Sequence, residues 1–476
     1  MPGPAEEQIQ IDCASGPEDL RALAALARVI WTEHYTPIIG AAQVEYMLGR
    51  FQSEEAVARD IEENGTCYEL VRVDGVPVGY AAFRAEPAAG EMFLSKIYLL
   101  RSYRGRGLAR RMMDRVTAAA SDAGCGWIRL TVNKHNTASI AVYEAMGFSI
   151  IDSVVTDIGG GFFMDDYILR RPAPMPSVGP EDINFRDPFV RVHDGRYYLY
   201  GTEGATCWQG DPGRLLVYTG TTLDRWEGPR VVFTPPPGFW ADRNYWAPEC
   251  HFYDGAFYLF VSFKSADRRR GTQILRSNNP DGPFKPVSDG PFTPADRECL
   301  DGTLHVDEDG RPWGVFCHEW VQIGNGTVCA VRLKPDLSGP ADPDAEPLVL
   351  FSAKDAPWVS GIDKRDKAPG WPEPLGYVTD GPFLRTLPHG RLLMGWSSFS
   401  GNRRYTIGQA VSDHGIAGPW RQLPEPIYAE DGGHGMFFDT VDGRQMLAIH
   451  KPNQTLLERP VFLEIEETGD GFRVKR

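Results

Sequence analysis

The chain has no CxxC pair. Its eight cysteines (Cys13, Cys67, Cys125, Cys207, Cys250, Cys299, Cys317 and Cys329) are scattered through 476 residues. A chain of this size does not depend on disulfides, so buried free thiols are the expectation. The opening MPGPAEEQIQIDC lacks a basic stretch followed by an apolar one, and no segment approaches the roughly 18 apolar residues of a membrane span. No membrane partner and a cytoplasmic location are the corresponding expectations. A cationic surplus is missing too: 49 Lys and Arg face 64 Asp and Glu, a formal charge of -15 with pI ≈ 5.2. That field repels phosphate backbones and anionic lipid, which excludes nucleic acid as an expected partner. With 42% apolar and 24% charged residues, the composition is that of a folded globular protein rather than a disordered one.

The length exceeds what one hydrophobic core usually organises, so two domains are expected. A boundary stands at Pro172, where four prolines in nine residues cannot continue a helix or a central strand. This divides the chain into residues 1–172, a Pro-rich linker at 173–179, and residues 180–476. Before the boundary, EDLRALAALARVIW (18–31) and ARRMMDRVTAAASDAG (109–124) carry apolar residues at helical spacing. After it helix signals nearly vanish. Short aromatic runs such as RYYLYGT, AFYLFVSF and RLLMGWSSF, bounded by DG, NP and GP pairs, read as strands and tight turns.

In the first part, EMFLSKIYLLRSYRGRGLARRMMDRV reads as a strand over 92–100, a glycine turn at 104–109 and a long helix. A helix N-terminus leaves N–H groups unpaired and carries partial positive charge, while glycines let a pyrophosphate approach the backbone. A second strand (127–132) leads into NKHNTASIAVYEAMGF, a polar loop and a short helix carrying Tyr143. In order and separation these two elements resemble the GNAT superfamily of N-acetyltransferases over roughly residues 8–171. Arg104, Gly107 and Ala109 match one family element. Asn136, Ile140, Tyr143, Gly147 and Phe148 match the other, with Ser139 where alanine is usual. The resemblance implies an N-terminal α/β (α+β) fold whose splayed central strands admit acetyl-CoA. The backbones of Ile97 and Leu99 would meet pantetheine. The amides of Arg104, Gly105, Arg106, Gly107, Leu108, Ala109 and Arg110 would hold the pyrophosphate, and Asn136 would also contact the cofactor. Tyr143 would be the general acid for the departing thiolate. The acceptor is a small-molecule amine that must lose a proton before attack. Glu33, His34, Glu45 and Glu91 are candidate bases, and the run as a whole is similar to polyamine-type acetyltransferases, which makes Asp165 and Asp166 candidate cation-attracting groups.

The second part repeats one grammar five times: a polar residue, an apolar strand, a turn usually written Asp-Gly, and a second strand. The turns begin at Asp194, Asp254, Asp309, His389 and Asp442, about fifty to eighty residues apart, which is the size of a blade. An all-β five-bladed propeller follows. The starts of the inner strands carry Asp187, Asp301, Asp380 and His434, with Glu249 two residues past the equivalent point in the second repeat. Carboxylates converging on an axis are costly as core and suit a pocket. Two separated carboxyls, one acid and one base, meet the needs of inverting glycoside hydrolysis. Trp208, Trp240, Trp246, Trp320 and Trp396 are candidate walls for sugar faces.

Arg-Asp-Pro at 186–188, Trp-Ala-Pro at 246–248, Leu-Asp-Gly from 300 and Gly-His-Gly at 433–435 resemble glycoside hydrolase family 43 over roughly residues 178–470. The resemblance implies Asp187 as the general base and Asp301 as the group that orients and tunes the acid. The family's acid is a glutamate in Glu-Gly-Pro. This chain has Asp380-Gly-Pro, so either Asp380 protonates the leaving oxygen, or Glu319 does, or hydrolysis is lost. His434 would lie on the axis beside a water-coordinated calcium or other cation. The combined expectation is a bifunctional enzyme acting on an amine and on an oligosaccharide or small glycoside of arabinose or xylose type. The alternative is an acetyltransferase with a non-catalytic glycan-binding or scaffolding propeller.

Overall fold

A computed structural model describes residues 7–208, 213–362, 376–401 and 403–475. The chain divides into two compact units, Met1–Met175 and Pro176–Arg476.

The first unit begins with β1 (Ile9–Cys13) and a long helix α1 (Gly16–Ile39), started by Pro17 and the acidic pair Glu18 and Asp19. These side chains favour a helix N-terminus through the fixed proline φ and the helix dipole. Its buried residues, Leu23, Leu26, Ala27, Ile30 and Trp31, recur every three or four positions. Helices α2 (Ala41–Phe51) and α3 (Glu54–Asn64) follow, then β2 (Cys67–Val73), β3 (Val76–Glu86) and β4 (Glu91–Leu99). Next come α4 (Leu108–Asp122), β5 (Trp127–Asn133), α5 (Thr137–Ala145), β6 (Ser149–Gly159) and β7 (Phe162–Pro172). The strands form one seven-stranded sheet in the order β1-β2-β3-β4-β5-β7-β6. Helix α4 buries Leu108, Met112, Val116 and Ala120, one per turn, against one face of it. All neighbours are antiparallel except β4 and β5, which run parallel and pair only at Glu91–Trp127, Met92–Ile128 and Phe93–Arg129. Beyond Phe93 the two central strands part.

The second unit is an all-β propeller of five sheets, one per repeat. The inner strands are Phe185–His193, Arg243–Tyr253, Cys299–Val306, Asp380–Thr386 and Gly433–Asp439, numbered here as blades 1 to 5. Each turns back at its expected pair into a second strand: Arg196–Glu203, Ala256–Lys264, Pro312–His318, Leu392–Phe399 and Gln445–Lys451. Ser177 and Val178, at the end of the proline-rich stretch, pair with Trp226 and Glu227 as the outer edge of blade 1. Blades 5 and 1 are joined by side chains: the fully buried Glu458 accepts from Arg186 Nη1 at 2.6 Å, and its carbonyl accepts from Asn184 Nδ2 at 3.1 Å. Trp396 is completely buried among Phe351 and Trp358, so it is blade core and not a wall of the channel mouth.

The thiol expectation holds for six of the eight cysteines. Cys13 is exposed on the edge strand β1, and Cys67 is half-buried on the neighbouring strand β2.

Candidate active sites

In the first unit the parting of β4 from β5 opens the sheet. Past Phe93 the β5-facing edge of β4, which includes Ile97 and Leu99, has no strand partner among the described residues. The Leu99 carbonyl accepts from Arg104 Nε at 3.2 Å, which draws the glycine turn towards the strand end. Gly105 and Gly107 have φ of +76° and +79°, and a Cβ added at either would meet nothing within 4 Å. The turn is open above its backbone, as a bound anion requires. Leu108 is buried and anchors the first turn of α4, whereas Arg104, Arg106 and Arg110 are exposed and Ala109 is half-buried. Arg106 pairs with Glu7 at 2.9 Å.

Tyr143 is half-buried on α5 with its ring 5.8 Å from Phe148, and burial pushes its hydroxyl above the usual tyrosine range. Its hydroxyl therefore keeps its proton at physiological pH. Asn136 is 2% exposed and its Oδ1 lies 3.2 Å from His34 Nε2, so helix α1 holds it in place. Burial and then Arg104 depress the His34 imidazole, which keeps it neutral.

A cavity of about 860 Å³ lies along the parted strands, lined among others by Trp31, Tyr35, Lys96, Tyr98, Asn133 and Asp166. The candidate bases Glu33, Glu45 and Glu91 lie elsewhere, paired with Arg101, Arg28 and Arg129 respectively. Asp165 pairs with Lys134 at 2.5 Å. Asp166 is 7% exposed, and burial, followed by the neighbouring Asp165, pushes its carboxyl up to about 6. Of the two acids only Asp166 lies in the cavity lining, because the pairing of β5 with β7 turns its side chain inward. Alternation along LTVN and DDY is the signal that shows it.

In the propeller, every inner strand has a β-bulge near its start, and the bulged residue has positive φ: Asp187 (52°), Ala247 (47°), Asp301 (54°), Gly381 (51°) and His434 (49°). These five are the equivalent positions. The repeat grammar equates Asp380 with Asp187, Asp301 and His434; the backbone puts Gly381 there and Asp380 one residue earlier. Glu249 is one layer deeper, with Thr303 and Phe383, and its Oε2 lies 3.1 Å from His251 Nε2. A bulge shifts the side-chain alternation, which equal spacing in sequence does not show.

The bulged N–H of four blades is held by the second strand of the preceding blade. Asp187 donates to His450 Nδ1 (3.1 Å), Ala247 to Thr202 Oγ1 (2.8 Å), Asp301 to Ser262 Oγ (2.8 Å) and His434 to Ser397 Oγ (2.8 Å). Cys317 occupies the matching place in blade 3, opposite Leu300. There Gly381 donates to Asp301 Oδ2 instead, at 3.0 Å.

Asp187 Oδ2 accepts from Thr202 Oγ1 at 2.6 Å, and Oδ1 lies 3.2 Å from His434 Nδ1. Burial works against its charge, yet His434, Arg186, His450 and Thr202 together outweigh it and hold the carboxyl below its ordinary range. Asp301 Oδ2 lies 3.8 Å from His434 Nδ1; burial and then Asp187 drive its carboxyl well up. Asp380 Oδ2 accepts from the Tyr405 hydroxyl at 2.9 Å, and burial, followed by Asp301, pushes its carboxyl up to about 7. Glu319 is paired with Arg270, both nearly buried, and Arg270 also donates to Asn244 Oδ1 at 3.2 Å and lies 4.2 Å over Trp246. Trp208 is 60% exposed with its ring 5.2 Å from Trp246, whereas Trp240 packs on Phe239 and Phe263. Trp320 is half-buried in a helical turn after Glu319.

Calcium takes about six to eight oxygen ligands. His434 offers one nitrogen already facing Asp187 and Asp301, and among the described residues these three do not bring their ligand atoms within 4.8 Å of one another. These side chains do not by themselves form a calcium cage.

Comparison with known proteins agrees with both halves. The model for glycosyl hydrolases family 43 matches residues 182–472, and that for the acetyltransferase (GNAT) family matches 28–148. The endo-arabinase from Bacteroides thetaiotaomicron VPI-5482 superposes with a TM-score of 0.56 at 38% identity, over 62% of this chain and 99% of that one. Extracellular endo-alpha-(1->5)-L-arabinanase 1 of Bacillus subtilis is 24% identical over 34% of this chain and 52% of its own. The chain thus spans about half the length of the curated glycosidases it matches. An uncharacterized N-acetyltransferase of Mycobacterium tuberculosis (strain ATCC 25618 / H37Rv) is 30% identical over 32% of this chain and 97% of that protein. Among the described residues no helix is long and apolar enough to cross a membrane.

Proposed function

The chain belongs to the glycosyl hydrolases family 43 through its propeller and to the GNAT acetyltransferases through its N-terminal unit, and on that footing we propose a bifunctional enzyme: an inverting hydrolase of small arabinosides or xylosides joined to an acetyl-CoA-dependent N-acetyltransferase. The observation that carries the hydrolase reading is the opposite displacement of two carboxyls at one mouth. Asp187 is held down and Asp380 is pushed up to about 7. Neighbouring carboxyls whose environments separate them in this way divide the labour of base and acid. Asp187, ionised, takes a proton from water as it attacks the anomeric carbon. Asp380, still protonated, gives its proton to the departing glycosidic oxygen. Asp301 positions the acid's strand through Gly381 and raises the acid's affinity for its proton. We assign the acid's role to Asp380 ahead of Glu319 because Arg270 engages the Glu319 carboxylate, although burial raises that carboxyl too. The similar endo-arabinase supports an arabinose-type substrate.

In the other unit, acetyl-CoA supplies the thioester. The open turn at Gly105–Gly107 and the α4 N-terminus suit its pyrophosphate, and the free edge of β4 suits its pantetheine arm. An amine in the aromatic cavity would lose its proton towards Asp166, whose carboxyl burial pushes up to about 6. The Tyr143 hydroxyl would protonate the thiolate.

The test of the hydrolase is Asp187→Asn. Turnover of arabino-oligosaccharides should fall by roughly 10²–10⁴-fold, the range for loss of a general base. Unchanged turnover would remove Asp187 from the chemistry.

A further inference from the structure

The two cysteines that escape the core do so together. Cys13 on β1 lies directly across from Glu69 on β2, and Cys67 precedes Glu69 by two residues, so all three side chains share one face of the sheet edge. Their ligand atoms, Cys13 Sγ, Cys67 Sγ and a Glu69 carboxylate oxygen, lie within 4.8 Å of one another. The two sulfurs are 3.5 Å apart. A disulfide needs about 2.05 Å. Two thiolates at about 2.3 Å from a tetrahedral zinc stand about 3.8 Å apart.

A second observation points to a ligand. The Glu69 side chain is 4% exposed, and its Oε1 is held by Arg115 of α4 at 2.6 Å. Its Oε2 is buried with no hydrogen-bond partner. A buried carboxylate oxygen without a partner is costly unless a cation or donor completes it. The charges also close: two thiolates and one carboxylate are neutralised by the Arg115 guanidinium and one divalent cation.

We propose that Cys13, Cys67 and Glu69 bind one thiophilic divalent cation of the zinc class, with water in the fourth position on the exposed Cys13 side. On binding, each thiol gives its proton to solvent and each sulfur forms one bond to the metal, with no change of oxidation state. Soft sulfur ligands and a small tetrahedral set select zinc over calcium or magnesium. The metal fastens β1 to β2 beside α4, the helix that begins at the glycine turn. This site is separate from both reactions and stands or falls independently of them.

The test is titration of the reduced, chelator-stripped full-length protein with Co²⁺, followed by displacement with Zn²⁺. One equivalent of Co²⁺ should produce sulfur-to-cobalt charge-transfer absorption together with tetrahedral ligand-field bands, and Zn²⁺ should abolish both. Cys13→Ser, at an exposed position, should lose most of the charge-transfer intensity and weaken Co²⁺ binding at least tenfold. Glu69→Gln should weaken binding while keeping the sulfur bands. Absence of the bands, or their survival in Cys13→Ser, would overturn the proposal. Loss of two titratable thiols on exposure to glutathione disulfide, with no metal uptake beforehand, would overturn it in favour of a redox pair.

Discussion

Gly381 gives its backbone N–H to Asp301 Oδ2 at 3.0 Å, the one bulged N–H of the five that turns to a carboxylate on the inner strand of the preceding blade. Cys317 makes this necessary, since it stands where three other blades supply a Ser or Thr hydroxyl and blade 5 the His450 imidazole. The bond couples the strand that carries Asp380 to the carboxyl that tunes it. A Cβ at position 381 would lie 2.7 Å from His434 Cδ2, so glycine is required there by space; the φ of +51° is shared by the non-glycine residues at the equivalent positions.

The Tyr405 hydroxyl favours the ionised form of Asp380 by donating to it. Its removal in Tyr405→Phe should therefore raise the acid's titration. Activity is present while Asp380 is protonated and is lost as pH rises through about 7. The alkaline limb of the kcat/KM profile should move to higher pH by about one pH unit in the variant. A limb that stays in place would detach Asp380 from the acid's role.

Glu319→Gln separates a structural ion pair from a catalytic acid. Removing one partner of a buried pair leaves Arg270 uncompensated, and the expected loss of stability is about 3–5 kcal/mol, read by denaturant unfolding. The alkaline limb should persist and move to lower pH, because the Glu319 charge is one of the groups that raise Asp380. Its disappearance would make Glu319 the acid.

In the acetyltransferase unit, Asp166 accepts a proton only when ionised, above about pH 6. Acetyl transfer should fall as pH drops through that value in the unaltered protein. Asp166→Asn should remove this dependence and lower kcat by roughly 10²-fold while leaving the KM for acetyl-CoA near its original value.

What the sequence shows and what it hides follow from the range of each interaction. The glycine turn, the helix carrying Tyr143 and the Asp-Gly turns are local, so residues a few positions apart display them and both folds are legible. Register is not local. The bulges that make Gly381 the equivalent of Asp187 and place Asp380 one residue earlier depend on cross-strand pairing. Glu249, by contrast, stands two residues past Ala247, as its place in the repeat indicates. The cavity of the first unit draws Trp31, Lys96 and Asp166 from three separate elements, and the Glu319–Arg270 pair spans 49 residues. Cys13 and Cys67 meet across 54 residues because β1 pairs with β2, an edge that scattered cysteines give no hint of.

The most direct measurement compares Asp380→Asn with the unaltered protein on two leaving groups, the sugar of arabinobiose and the dinitrophenolate of an activated arabinofuranoside. Dinitrophenolate departs without a proton, whereas a sugar alkoxide does not. Arabinobiose hydrolysis should fall by roughly 10²-fold or more while dinitrophenyl release stays within about threefold. Equal loss on both substrates, or no loss on arabinobiose, would contradict Asp380 as the acid.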